Sequence, residues 1–145
     1  MHTKGYKEEK AFIGNESDLQ GIQAALRGFY DGLSEHDLKT LEAHTAEGYY
    51  LLEHGEYWNL DYTKQKIGPT KPDGFCRTNR FDFKRIEVFG DDAFAVWDLH
   101  ATVVRKDGGN NLHWLESGSL KKIDGTWKVH FLHSTRVTPD QPAGA

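Results

Sequence analysis

The chain contains a single cysteine, Cys76, in 145 residues. That excludes an internal disulfide framework and suits a reducing compartment. Isolated in a Gly- and Pro-rich segment, it reads as incidental rather than as a nucleophile. Positive charge is also short, with 18 Lys and Arg against 22 Asp and Glu and a net charge of -4. This balance offers no basic footprint for nucleic acid or an anionic membrane. Long apolar runs are missing as well. No segment approaches the roughly 20 apolar residues of a membrane-spanning helix. The charged start, Met1-His2-Thr3-Lys4-Gly5-Tyr6-Lys7-Glu8-Glu9-Lys10, lacks the apolar core of a signal peptide. A cytoplasmic location is therefore expected. There is no glycine-rich phosphate loop, no flavin or nicotinamide fingerprint, no Ser-His-Asp arrangement with an identifiable nucleophile and no H-E-x-x-H spacing. Eight histidines without short ligand spacing predict neither a metal nor another cofactor.

What is present is a clear pattern of elements. A chain that is 37% hydrophobic and 12% aromatic fits one domain with a buried core. Residues 1–15 read as a flexible arm and 137–145 as a flexible tail, leaving a domain over 16–136. Ser17 or Asp18 offers an N-cap, after which Leu19, Ile22, Leu26, Phe29, Tyr30 and Leu33 recur at helical spacing as far as His36. Asp37 caps a short second helix with Leu38, Leu41 and Thr45, and Gly48 stops it. A strand over 49–53 and one or two helical turns over 61–67 follow. Residues 68–78, with Pro69, Pro72 and Gly74, form a loop that is either a lid or a connector. Strands over 81–89, 92–105, 111–123 and 126–136 are joined by Gly90-Asp91, Lys106-Asp107-Gly108-Gly109 and Asp124-Gly125, which are hairpin turns by composition. Helices followed by consecutive hairpins predict an α+β fold. Its form is a cone-shaped, curved antiparallel β-sheet with the N-terminal helices packed on the concave face.

The segments Gly90-Asp91-Asp92-Ala93-Phe94-Ala95-Val96-Trp97 and Lys122-Ile123-Asp124-Gly125-Thr126-Trp127-Lys128-Val129-His130-Phe131-Leu132-His133-Ser134 resemble the nuclear transport factor 2-like superfamily. That superfamily includes SnoaL-like polyketide cyclases, ketosteroid isomerases and the association domain of calcium/calmodulin-dependent protein kinase, to which the pattern is most similar. The resemblance covers residues 17–136. It implies a cone with a polar-lined cavity and a homodimer or larger homo-oligomer built through the outer face of the sheet. It also implies that Val96, Asp98, His100 and Thr102 face the cavity. His100 and Gly118 fall where the association domain carries cavity arginines.

Alternation places Trp114, Glu116, Gly118 and Leu120 on one face of their strand, and Trp127, Val129, Phe131 and His133 on one face of the last. His130 then faces oppositely to His133 unless a bulge intervenes. With the inward face implied by the resemblance, Asp98, His100, Glu116 and His133 converge as candidate catalytic residues. Two carboxylates and two imidazoles in an apolar setting suit cofactor-independent acid-base chemistry of an isomerase, cyclase or dehydratase kind. Tyr30, Tyr50, Trp58, Thr102, Trp114 and Phe131 are the candidate ligand-binding set, suited to a small hydrophobic or carbonyl-bearing molecule. Two alternatives stay open. Asp98 and His100 form a hydrogen-bonded pair with no reaction, or the domain is a non-catalytic homo-oligomerisation module working through Trp97, Leu99, Ala101, Leu115 and Leu132.

Overall fold

The structure is a computed structural model that describes residues 9–142. The start of the expected arm and the end of the expected tail lie outside the described residues. Within them, β1 (Ala11–Ile13) precedes α1 (Glu16–Glu35) and α2 (Leu38–Ala43). Next come β2 (Thr45–Glu53), β3 (Glu56–Asn59) and α3 (Leu60–Ile67). The long strands β4 (Cys76–Phe89), β5 (Asp92–Arg105), β6 (Gly108–Ile123) and β7 (Thr126–Pro142) complete the chain.

Asn15, not Ser17 or Asp18, caps α1, its side chain accepting from Asp18 N at 2.8 Å. The helix ends at His36, which turns left-handed at φ 56, and Asp37 then caps α2 through Thr40 N at 3.1 Å. Asp18 is left for another task. Its Oδ1 accepts from Trp127 Nε1 and Lys122 Nζ, both at 3.0 Å, tying the start of α1 to the Asp124-Gly125 hairpin. The apolar stripe of α1 buries Ile22, Leu26, Phe29 and Tyr30 against the sheet, each contributing about 1.5–3 kcal/mol. Gly32 lets α2 come close, since a Cβ there would stand 2.6 Å from Leu41 N.

The sheet order is β1-β4-β5-β6-β7-β2-β3. The four long strands form the expected antiparallel meander. The β1–β4 and β2–β7 pairs are parallel, which makes the sheet mixed rather than wholly antiparallel. Other differences come from backbone pairing that side-chain patterns do not report. β1 lies inside the expected arm, and β7 runs on through 137–142 because its backbone finds partners along β6, Val137 opposite His113 and Gln141 opposite Asn111. β4 begins at Cys76 and takes the end of the expected 68–78 loop. The short hairpin β2–β3 turns at His54-Gly55, both at positive φ.

Curvature comes from register shifts near Lys84, between Thr45 and Tyr50, and between Ser119 and Leu120. At the last of these the β7 backbone presses on Gly118, where an added Cβ would lie 2.4 Å from Phe131 O. Backbone, unlike a flexible side chain, has little room to yield. Gly118→Ala is therefore expected to cost about 1–3 kcal/mol, measured as a lowered denaturation midpoint with an unchanged slope.

Candidate functional site

β5 presents two unlike faces. Ala93, Ala95, Trp97, Leu99, Ala101 and Val103 are buried beneath the helices, so Asp98, His100 and Thr102 lie on the outer face. This reverses the facing that the resemblance implied. Register makes it unavoidable, because Glu116 pairs directly with Trp97, whereas Asp98 pairs with Leu115. On β7 the shift by His130 changes the alternation, so that Trp127 and Val129 point inward, followed by Leu132 and Ser134. Phe131 and His133 are thereby turned outward, together with His130.

The polar centre of the inner face is Glu116, 4% exposed. Its Oε1 accepts from Tyr30 Oη on α1 at 2.7 Å and from Trp97 Nε1 on β5 at 3.0 Å, while Oε2 accepts from Ser134 Oγ on β7 at 2.6 Å. Burial raises its pKa despite the three donors, which favour the ionised form. Burial and the facing carboxylate also push the Tyr30 phenol well above its ordinary range. Beside this cluster lies a cavity of about 80 Å³, lined by Phe29, Tyr30, Trp58, Thr63, Arg77 and Trp114 among others, with Glu53, Glu116 and Ser134 supplying carboxyl and hydroxyl groups. At roughly 30 Å³ per water, it has room for about two or three waters or a ligand of few atoms. That is smaller than the roughly 300 Å³ at which drug-sized sites begin.

Arg77 is the cation of this cavity. Its Nε donates to Asn79 Oδ1 at 2.8 Å, and its guanidinium lies 5.2 Å from the Trp114 ring centroid and 5.9 Å from that of Tyr30. Among the described residues, no protein acceptor meets its two Nη groups. Burial lowers its pKa, countered by Tyr30, Glu116 and Glu53. Arg136 approaches the same indole at 5.3 Å. The expected vacancy of guanidinium groups, drawn from His100 and Gly118, is thus filled from other strands, and Gly118 has no room for a side chain. Tyr49 Oη is buried without a hydrogen-bond partner among the described residues, near the Thr63 hydroxyl, which donates to Asn59 O at 2.8 Å.

Of the expected residues, Glu116, Tyr30, Trp58 and Trp114 meet at this cavity. Asp98, His100 and His133 do not. Asp98 accepts from His113 Nε2 at 2.6 Å and pairs with Lys84 at 2.8 Å, and His113 stacks on His100 with centroids 4.2 Å apart. Burial raises the Asp98 pKa, but the Lys84 and His113 contacts together bring it below normal. The pair expected between Asp98 and His100 is therefore replaced by Asp98 and His113. Thr102 is exposed and donates to Asn111 Oδ1 at 2.8 Å. Tyr50 stacks on Tyr57 and Phe131 on the outer face, at 5.5 and 4.9 Å. Trp97, Leu99, Ala101 and Leu132 are buried inward, which leaves Leu115 as the outward member of the expected association surface. Sequence reasoning missed Arg77, Glu53 and Ser134. The available signal was a charged residue interrupting an inward alternation, as in Tyr49, Leu51, Glu53 and in Arg77, Asn79, Phe81. Among the described residues, no three His, Cys, Asp or Glu side chains gather into a metal-binding group.

No family model matches the chain and no curated protein matches it. Solved structures do. The CamKII hub homology domain of Chlamydamonas reinhardtii aligns at a TM-score of 0.73 with 14% identity, over 83% of this chain and 99% of that one. A ketosteroid isomerase-like protein from Erwinia carotovora atroseptica aligns at 0.68 with 16% identity, over 86% and 100%. An NTF2-like protein from Cytophaga hutchinsonii aligns at 0.67 with 14% identity, over 86% and 100%. The chain therefore has the nuclear transport factor 2-like fold. No helix among the described residues is long and apolar enough to cross a membrane.

A carboxyl whose pKa is raised by folding binds more protons in the native state than in the unfolded one. Its contribution to stability is greatest below the unfolded value and falls as pH rises toward the folded value. Glu116→Gln removes this term while keeping an acceptor for Tyr30 and Trp97. The variant is expected to gain stability relative to the parent as pH rises from 4.5, the ordinary value for the group. Denaturant midpoints measured from pH 4 upward check this.

Proposed function

We propose that this domain binds a small, oxygen-bearing molecule in the cavity under α1, with Arg77 as its anchor and Glu116 as the group able to exchange a proton with it. The observation that carries the reading is the half-buried Arg77 on the cavity wall, whose Nε is held by Asn79 and whose Nη groups meet no protein acceptor among the described residues. Five fixed donors in a planar fork match a carboxylate or a polarised carbonyl. Trp58 and Trp114 supply apolar walls, and the small volume favours a short-chain ligand. With a carbonyl bound at Arg77, Glu116 would take a proton from the adjacent carbon while the guanidinium stabilised the charge developing on oxygen. A carboxyl pKa raised by burial makes Glu116 readier to hold the proton it takes, and no cofactor is needed. This is a cofactor-independent isomerase, cyclase or dehydratase type of chemistry. A cytoplasmic setting fits the exposed thiol of Cys76.

The test is titration of the protein with butyrate and pyruvate, followed by the indole NMR signals of Trp58 and Trp114. Saturable shifts are expected. Arg77→Met should weaken binding by about 10-fold or more, as expected for loss of a hydrogen bond to a charged group. Equal affinity in the variant would refute the assignment.

A second reading concerns the outer face, where exposed Phe94, half-buried Val96 and Leu115, 46% exposed, follow one another diagonally across the β5–β6 register. An apolar strip on an open sheet face suits homo-oligomerisation through a second copy, and this is compatible with the cavity reading. Leu115→Glu is expected to reduce a dimer or larger ring to monomers by light scattering at micromolar concentration.

A further inference from the structure

The inner faces of three neighbouring strands bring three proton-carrying groups into one line. Glu116 on β6 is directly opposite Ser134 on β7, and Ser134 is directly opposite Glu53 on β2. The Ser134 hydroxyl donates to Glu116 Oε2 at 2.6 Å, and Ser134 and Glu53, neighbours in the β2–β7 register, line the same cavity as Glu116. At the outer end, Glu53 Oε2 stands 3.4 Å from His54 Nε2, and the His54 side chain is 61% exposed. From these positions we infer that Glu53, Ser134 and Glu116 form a one-proton relay joining the buried carboxyl to solvent at His54.

A hydroxyl has one proton to give and can accept another at the same time. When Glu53 holds the shared proton, it donates to Ser134 Oγ while Ser134 donates to Glu116. In the transfer, the proton of Glu53 passes to Ser134 Oγ as the proton of Ser134 passes to Glu116 Oε2. One O–H bond breaks and one forms at each step, and the negative charge moves from Glu116 to Glu53. Groups facing Glu116 bias the position of the proton. Tyr30 and Trp97 stabilise its ionised form by hydrogen bonds, Arg77 lies close by, and Glu53 opposes ionisation as a like charge. Tyr49 adds a buried phenol near both carboxyls, and Arg136 faces Glu53. Glu116 is 4% exposed and faces a cavity that a bound ligand would fill, so an acid-base cycle there needs an exit for its proton. Glu53 supplies one without opening the core.

The relay rests on the acid-base role proposed for Glu116, but its test uses no ligand. The full chain, labelled with carboxyl-¹³C glutamate, is titrated by NMR. Glu53 and Glu116 are expected to move together in two coupled steps. Glu53→Gln should lower the pH at which Glu116 titrates, because a like charge is gone. Ser134→Ala should raise it for both carboxyls, because each loses a stabilising hydroxyl. Two independent single steps in the parent, or a Glu116 titration unmoved by Glu53→Gln, would overturn the relay. Should either variant fail to give a folded amide spectrum, the parent titration alone decides. A coupled titration without butyrate or pyruvate binding would keep the relay and remove the ligand reading, and the converse result would do the reverse.

Discussion

The buried carboxylate of Glu116 is the constraint around which this domain is assembled. An ionised group removed from water costs several kcal/mol unless it is met by donors, and here the donors come from α1, β5 and β7. Each fixes the distance of its element from the others. Tyr30 reaches Glu116 only if α1 lies across the sheet at its present height, and Trp97 only if β5 and β6 keep their register. The Asp18 contacts with Trp127 and Lys122 secure the far end of the same helix. A polar cluster of this kind specifies one arrangement where a wholly apolar core would accept several.

The same constraint shapes the chemistry. Saturated by three hydrogen bonds, Glu116 is held in one orientation, and its raised pKa makes it a more willing proton carrier than a surface carboxylate. Arg77 stands on the other side of a small cavity with donors to spare. The pocket therefore offers charge, hydrogen bonds and apolar walls together, in a volume that suits few atoms. The outer face is chemically different, with imidazoles stacked over an Asp98–Lys84 ion pair and an apolar strip at Leu115. One sheet thus serves two environments, and the alternation of a single strand decides which residues belong to each.

Much of this was legible beforehand. The turns at Gly90-Asp91 and Asp124-Gly125, the length of β5 and the apolar stripe of α1 are local features, and the structure reproduces them closely. The facing of β5 was legible too, because Ala93, Ala95, Trp97, Leu99, Ala101 and Val103 form an apolar set and the alternate positions do not. The resemblance implies the opposite facing for Asp98 and His100, which this alternation places on the outer side. Phe131 and His133 are another matter. Their outward turn follows from a register shift at His130, which leaves no mark in a period-two pattern.

By itself, then, the sequence determined the elements, the amphipathic α1, the hairpin order and the face that Glu116 shares with Trp114 and Leu120. These depend on spacing along the chain and on the preferences of a few turn and capping residues. Only the tertiary structure decided that Glu53, Ser134 and Glu116 lie side by side, that Arg77 enters the cavity from the start of β4, and that Tyr30 donates to the Glu116 carboxyl. Those meetings join residues up to 86 positions apart. They are set by strand register and bulges, and sequence periodicity carries no information about which strand lies beside which.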